Sequence, residues 1–473
     1  MAYRMYLWHQ NKKIFMNTFC MRLLRCQYFL RFVLFVFFLI FIRFPLSAQE
    51  TITLRAAMDS TMKNNLQIRQ ADFQSALSSQ DVLQARMNLL PSLSTGVSGR
   101  LSGGNFFDEK TGTISNTTNK SIDGDVSLFV TLFQGFQRVN QIAYNKYLLE
   151  ADKSEAERVR NDLQLSVFTI YMEALTNRDL MEASEQQLKL SQDQLAVEEV
   201  NMEVGNRTLA DLSQARSQVA TDELNVTSAN NAYELSILSL KQLMEMNPQR
   251  EIVLEVPSIP DVEKITSEYS AQEVYSNAVK LFPEISEAEF NTLAAEQNIK
   301  ISKGAYYPTL SLSGGLGSGY TTSYRDMNSD IFPFREQIRN NFSQYIGVSL
   351  NIPIFNNFSS RIGVRKAKIS YENTKVAEQQ VKNNLNKVVN QAVLDLHSAE
   401  QRYHSAEQAF IAMKETFNVY KQRYEVGLAN SIELSTSQTN MNKAEFDFIT
   451  SKYNLIFRSK VIDFYLGKLI EFP

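Results

Sequence analysis

The chain has 473 residues, 44% hydrophobic and 21% charged, with 17 Gly, 10 Pro and 2 Cys. That balance excludes disordered, collagen-like and disulfide-built chains, and a mean hydropathy of -0.25 excludes a bundle of membrane-spanning helices. Residues 1–48 hold seven of the 48 Lys and Arg and no acid, leaving 41 bases against 51 acids in the remainder. A surface of that sign does not displace counterions from phosphates, which argues against nucleic-acid binding.

In chain order, the first element is a leader. Arg31 is followed by an unbroken apolar run from Phe32 to Ile42 and a small-residue end at Ser47-Ala48. This predicts a secretory signal peptide over 1–48. Cys20, Cys26 and Trp8 precede the expected cut. A mature chain starting at Gln49 has no thiol, so cysteine catalysis, Cys-ligated metals and disulfides are excluded for it.

Proline and glycine spacing sets the middle of the reading. No proline lies between Pro91 and Pro248 or between Pro353 and Pro473. Glycine is absent from Phe136 to Val204, and only Gly363 interrupts Asn356 to Val426. Each stretch predicts a helix of about 100 Å at about 1.5 Å per residue. Rods of this length need neighbours along their sides, and the apolar pattern supplies the seam. Val389, Leu396, Tyr403, Phe410, Phe417 and Tyr424 recur every seven residues, beside Leu385, Ala392, Ala399, Ala406, Met413 and Tyr420. A strict seven-residue period is the mark of coiled-coil packing.

Subtracting 222 places the Val389 row on Val167, Ala174, Met181, Leu188, Leu195 and Met202, and Gly427 on Gly205. A shift of 217 places Pro308-Thr309-Leu310-Ser311 on Pro91-Ser92-Leu93-Ser94. The chain is therefore duplicated, with expected repeats over 49–257 and 258–473. Around the prolines the period changes from seven to two. Val348, Leu350, Ile352 and Ile354 alternate with polar residues, as do Leu310 and Leu312, and, less cleanly, Val126, Leu128, Val130 and Leu132. These predict two strands per repeat, hairpins over about 92–133 and 309–355. The stretches Gly103 to Gly124 and Gly314 to Asn341 are expected to be solvated loops. One apolar and one polar face suit either a small covered sheet or a membrane barrel, with Phe106, Phe107, Phe133, Phe136, Tyr320, Tyr345 and Phe355 as an interfacial girdle. Four strands cannot close a barrel, so a barrel requires several copies.

Each rod ends in a short turn, Val204-Gly205-Asn206-Arg207-Thr208-Leu209 and Val426-Gly427-Leu428-Ala429-Asn430-Ser431. Two such tips at a fixed offset, on long rods that follow hairpins, resemble the TolC family of outer-membrane efflux proteins over about 51–470. The resemblance implies a mainly α fold, a trimeric α-barrel of long coiled-coil helices continuous with a shared twelve-stranded β-barrel. Thr53 to Leu90, Asn206 to Asn247, Ala271 to Lys303 and Asn430 to Leu469 would be the shorter helices, and Pro248 to Tyr269 an irregular belt. The implied function is the outer-membrane channel of a tripartite efflux or type I secretion system in a Gram-negative bacterium. Its implied partners are two further copies, a periplasmic adaptor and an inner-membrane pump, with no cofactor.

By the same resemblance Gly205, Asn206, Arg207, Thr208 and Leu209, with Gly427, Leu428, Ala429, Asn430 and Ser431, would dock the adaptor. Asp211 and Glu433, six after each tip glycine, would form an acidic constriction, and Tyr424 would bond Asp211 to close it. Acids at these positions also suit helix capping. Thr436 and Ala429 stand where the family pattern has an acid and an arginine. Enzymatic chemistry finds no footing. His397 and His404 are seven apart rather than the four of a helical metal pair, and Gly314-Gly315-Leu316-Gly317-Ser318-Gly319 lacks the Lys-Ser/Thr of a phosphate loop. A trimeric structural stalk or adhesin with a barrel anchor is the alternative, and hairpins in both halves favour the channel.

Overall fold

The computed structural model describes residues 50–108, 112–257, 265, 268–325 and 330–470. The leader expected over 1–48, with Cys20, Cys26 and Trp8, lies outside the described residues. Two compact units are distinguished. The smaller pairs β1 (Glu50–Ile52) with β4 (Ile252–Leu254) in parallel, with Glu50 opposite Ile252. The expected belt thus contains a strand, which leaves Ile252 and Leu254 on one side and Val253 on the other.

In the larger unit, α3 (Gln137–Glu203) and α8 (Ser359–Glu425) are both 67 residues long. Their lengths follow from the absence of any proline between the strand ends and the tip glycines, and Gly363, in the second turn of α8, is tolerated. Val389, Leu396, Tyr403, Phe417 and Tyr424 of the seven-residue row are buried. In α3 the row holds only at Val167 and Ala174. Towards the tip, burial moves to Ser184, Gln187, Ser191 and Glu198, leaving Met181, Leu188, Leu195 and Met202 half-buried. The shorter helices are α4 (Leu209–Leu243), α9 (Ser431–Tyr465) and two broken pairs. The pairs are α1 (Leu54–Asn64) with α2 (Leu66–Met87), and α5 (Ala271–Leu281) with α6 (Pro283–Gly304). Single helices were expected at both places. Pro283 cannot donate to the ladder and starts α6 at its first position. Asn65, 217 residues before the Phe282 that caps α6, breaks the ladder by accepting from Gln67 N and donating to Leu243 O. Helix contacts run laterally in the order α2, α3, α6, α8.

The sheet is antiparallel with strand order β2 (Ser92–Asp108), β3 (Thr113–Gln134), β5 (Thr309–Thr321), β6 (Ser343–Asn351). Gly103–Asp108, Thr113–Gly124 and Gly314–Thr321 are strand rather than loop. The register runs unbroken through Gly103 opposite Thr118 and Ser121 opposite Thr321, so backbone pairing extends beyond the apolar alternation that marks strands in sequence. A seven-residue helix, α7 (Phe334–Asn340), lies within the second expected loop.

Register sorts the side chains. Leu93 faces Leu128, Val126 faces Leu316, and Leu312 faces Val348, so one apolar face crosses all four strands. Ser94 faces Ser127 and Asp123 faces Gly319 on the other. Tyr345 falls on this polar face, opposite Gly315, whose missing Cβ makes room for its ring. The girdle assignment of Tyr345 is therefore corrected. Phe107, Phe136 and Phe355 are exposed, while the side chain of Phe106 lies outside the described residues. Among the described residues both outer strands, β2 and β6, keep an unpaired edge. No described helix is long and apolar enough to cross a membrane.

Each strand-to-rod junction is a left-handed turn. Gly135 and Phe136 have φ of 56° and 60°, and Asn357 and Phe358, 222 residues on, have 53° and 59°. Phe133 meets Phe136 edge to face at 5.4 Å, and Phe355 meets Phe358 at 5.6 Å. A bulky residue in this region is sterically costly and persists only where its surroundings hold it.

Candidate functional site at the helix tips

Both tips are built by the same backbone device. Gly205 and Gly427 each have φ of 77° with nothing within 4 Å of a built Cβ, so conformation and not space requires glycine. Asn206 N donates to Asn201 O at 2.8 Å, and Leu428 N donates to Arg423 O at 2.7 Å, which closes the last turn of each rod. The returning helices start with reciprocal capping boxes. Thr208 N donates to Asp211 Oδ2 at 3.1 Å and Asp211 N to Thr208 Oγ1 at 3.3 Å. Asn430 N donates to Glu433 Oε2 at 2.9 Å and Glu433 N to Asn430 Oδ1 at 2.8 Å. Asp211 and Glu433 therefore cap α4 and α9.

The bond expected from Tyr424 to Asp211 is not made. Asp211 Oδ1 accepts from Ser431 Oγ at 2.5 Å, and its Oδ2 accepts from Thr208. The Ser431 and Thr208 hydrogen bonds hold the Asp211 carboxyl below its ordinary pKa. Tyr424 is buried, and its phenol is pushed up first by burial and then by the neighbouring Glu198 carboxylate. Arg207 takes the place beside Tyr424 that was expected for Asp211. Its guanidinium lies 4.0 Å from the Tyr424 ring centroid and donates to Tyr424 O at 2.9 Å. Its Nε stands 3.8 Å from Glu198 Oε2. Glu198 carried no sequence signal beyond its place seven after Ser191 on the buried side of α3.

Of the residues assigned to the tips, Gly205, Asn206, Thr208, Leu209, Gly427, Leu428 and Asn430 are exposed. Arg207, Ala429 and Ser431 turn inward: Ala429 packs with Phe417, Tyr424 and Leu434, and Ser431 joins Asp211. Around the turns an apolar crest stands in solvent, formed by Val204, Leu209, Val426, Leu428 and Ile432. Among the described residues no group of three or more His, Cys, Asp or Glu is placed to hold a metal.

A second charged cluster lies between α3 and α6. Arg158 donates to Glu155 at 2.8 Å and to Asp162 at 3.0 Å, with Glu287 Oε2 at 3.6 Å. Burial, and then the adjacent Glu155, push Glu287 up to about 7. Burial also raises Glu284.

The outer membrane efflux protein family matches the chain over residues 57–244 and 274–468, one range in each repeat. The outer membrane efflux protein BepC of Brucella suis is 21% identical over 71% of this chain and 69% of its own length. Escherichia coli TolC is 20% identical over 82% of this chain and 76% of its own. The crystal structure of the Campylobacter jejuni CmeC outer membrane channel superposes with a TM-score of 0.74 at 17% identity, covering 88% of this chain and 85% of that one. Two matched ranges, a four-stranded sheet with one continuous apolar face and paired rods with like tips lead to one assignment: this chain belongs to the outer membrane efflux protein family.

Proposed function

We propose that three copies of this chain, each made of repeats over 49–257 and 258–473 behind a cleaved leader, close into one conduit through the outer membrane and the periplasm. The observation that carries this reading is the sheet: an apolar face continuous across four strands, ending at unpaired edges on β2 and β6. Lipid satisfies that face, but not open backbone edges, so the edges must pair with those of other copies. The helices repeat the pattern. α2 and α8 end the lateral order, and both expose apolar residues seven apart: Leu66 and Phe73 on α2, and Ile362, Ile369 and Val376 on α8. Such stripes suit the seam between neighbouring copies.

The closed assembly conducts solute without catalysis, a water-filled path replacing the hydrocarbon barrier. The crests of Val204, Leu209, Val426, Leu428 and Ile432 give a periplasmic adaptor an apolar surface beside Gly205, Asn206, Thr208, Gly427 and Asn430. The inner-membrane pump supplies the energy through that adaptor. Asp211 and Glu433, repeated in three copies, ring the narrow end with carboxylates that attract cations.

Purified mature protein in detergent is expected to have the mass of three chains and to give discrete conductance steps in a planar bilayer. A monomer that stays soluble without detergent and gives no steps would overturn the reading. The stalk alternative predicts a trimer without conductance. A crosslinkable cysteine at Asn206 or Asn430 is expected to trap a periplasmic adaptor in cells, and capture of sibling chains alone would remove the docking role.

A further inference from the structure

Where the tip halves of α3, α4, α8 and α9 meet, they enclose a polar cavity of about 20 Å³. One water needs about 10–15 Å³ by this measure, so the cavity takes a single solvent molecule. Four of its lining residues, Ser191, Glu198, Tyr424 and Gln438, are more than nine-tenths buried, and Ser191 already donates to Leu188 O. Glu198 Oε1 and Oε2, Tyr424 Oη and Gln438 Nε2 have no hydrogen-bond partner among the described residues. Other polar groups on the wall are engaged: Ser435 donates to Gln218, and Asp211 accepts from Ser431.

The orphaned groups are complementary. The carboxylate offers two acceptors, and the phenol and amide offer two donors. Arg207 balances the charge of Glu198, but at 3.8 Å its Nε is beyond hydrogen-bond length, so the lone pairs still need a donor. A buried carboxylate or amide left without partners costs about 1–3 kcal/mol per group. One molecule with two donors and two acceptors answers all four.

We propose that this cavity is a binding site for one structural water, which accepts from Tyr424 Oη and Gln438 Nε2 and donates to both carboxylate oxygens of Glu198. A metal cation is the wrong occupant, because Arg207 already stands beside Glu198 and Asp211 is committed to Ser431 and Thr208. The water joins α3 of the first repeat to α8 and α9 of the second. It makes their contact a solvent bridge where the sequence led to the expectation of a direct tyrosine–carboxylate bond. Such a joint can part and re-form by exchanging one molecule with bulk solvent, and neither side has to find a new protein partner.

The test is a map of the full mature assembly at a resolution that shows ordered water, collected with and without a thallium salt. The expected result is one peak within hydrogen-bond distance of Glu198 and of Tyr424 or Gln438, with no anomalous thallium signal. A thallium peak would replace the water by a cation and overturn the proposal. So would a direct Tyr424–Glu198 bond with the cavity closed. Tyr424→Phe and Gln438→Leu, each removing one donor, are expected to weaken or lose the peak. An unchanged peak in both variants would refute the donor assignment.

Discussion

Set 222 residues apart, the two tips share a backbone and differ in what anchors them. Both have glycine at φ 77°, the same closing bonds and an acid in a capping box. The second tip is held by ordinary burial: Ala429 and Leu434 pack with Phe417 and Tyr424. The first buries Leu212, the counterpart of Leu434, and adds charge. Arg207 reaches across to Tyr424 and Glu198, and the buried side of α3 behind it is Ser184, Gln187 and Ser191. The two repeats thus share the turn and differ in its packing. The first tip carries a polar joint that binds it to the second.

The same contrast appears higher on the rods. The cluster of Glu155, Arg158, Asp162, Glu284 and Glu287 sits where α3 meets α6. At the corresponding offsets stand Ala377, Gln380, Asn384, Gln67 and Gln70. The five positions are charged in the α3–α6 pair and uncharged at the matching places of α8 and α2.

Arg207→Ala attacks the difference most strongly. It leaves Glu198 buried without its cation, at a cost of about 3 kcal/mol, and amide exchange across residues 191–203 is expected to accelerate. Ala429→Gly, its counterpart at the second tip, should change exchange far less. Equal effects would mean that the two tips are anchored alike. Asp211→Asn is expected to cost about 1 kcal/mol more than Glu433→Gln, because Asp211 also accepts from Ser431. Thermal melts of the two variants at neutral pH check the order. The contribution of Asp211 is fully present above its ordinary pKa of 3.8 and is lost as pH falls below that, through its lowered folded value. Gly205→Ala and Gly427→Ala should each cost about 1 kcal/mol and should agree, since both glycines have the same φ.

The charged junction gives a pH signature of opposite sign. Glu287 holds its proton up to about 7 in the folded chain against an ordinary 4.5, so its share of stability is lost as pH rises across that window. Local exchange at α6 is expected to quicken between those values. Glu287→Gln should flatten the profile, whereas Gln70→Ala at the neutral counterpart should leave it unaltered.

The rods, the duplication and both tip turns were legible in the sequence because period and breaker residues act locally. Gly205 and Gly427 mark the turns, and the prolines mark where the period changes. The extent of the sheet was hidden, since Gly103–Asp108 and Thr113–Gly124 are strand through pairing with each other and not through alternation. Pro283 could have announced the break between α5 and α6. Asn65 could not have done so alone, as it acts partly through Leu243, 178 residues away. At the site the capping acids were readable from spacing. The link from Arg207 to Tyr424 joins residues 217 apart and is created only by tertiary packing.

The left-handed pairs at Gly135-Phe136 and Asn357-Phe358 carry a last consequence. They set the elbow between sheet and rod within a single copy, by backbone sterics and the Phe133 and Phe355 rings. Each copy therefore arrives already bent at both elbows, like a cooper's stave cut to its angle. In the proposed assembly, sibling copies would need only to close the circumference.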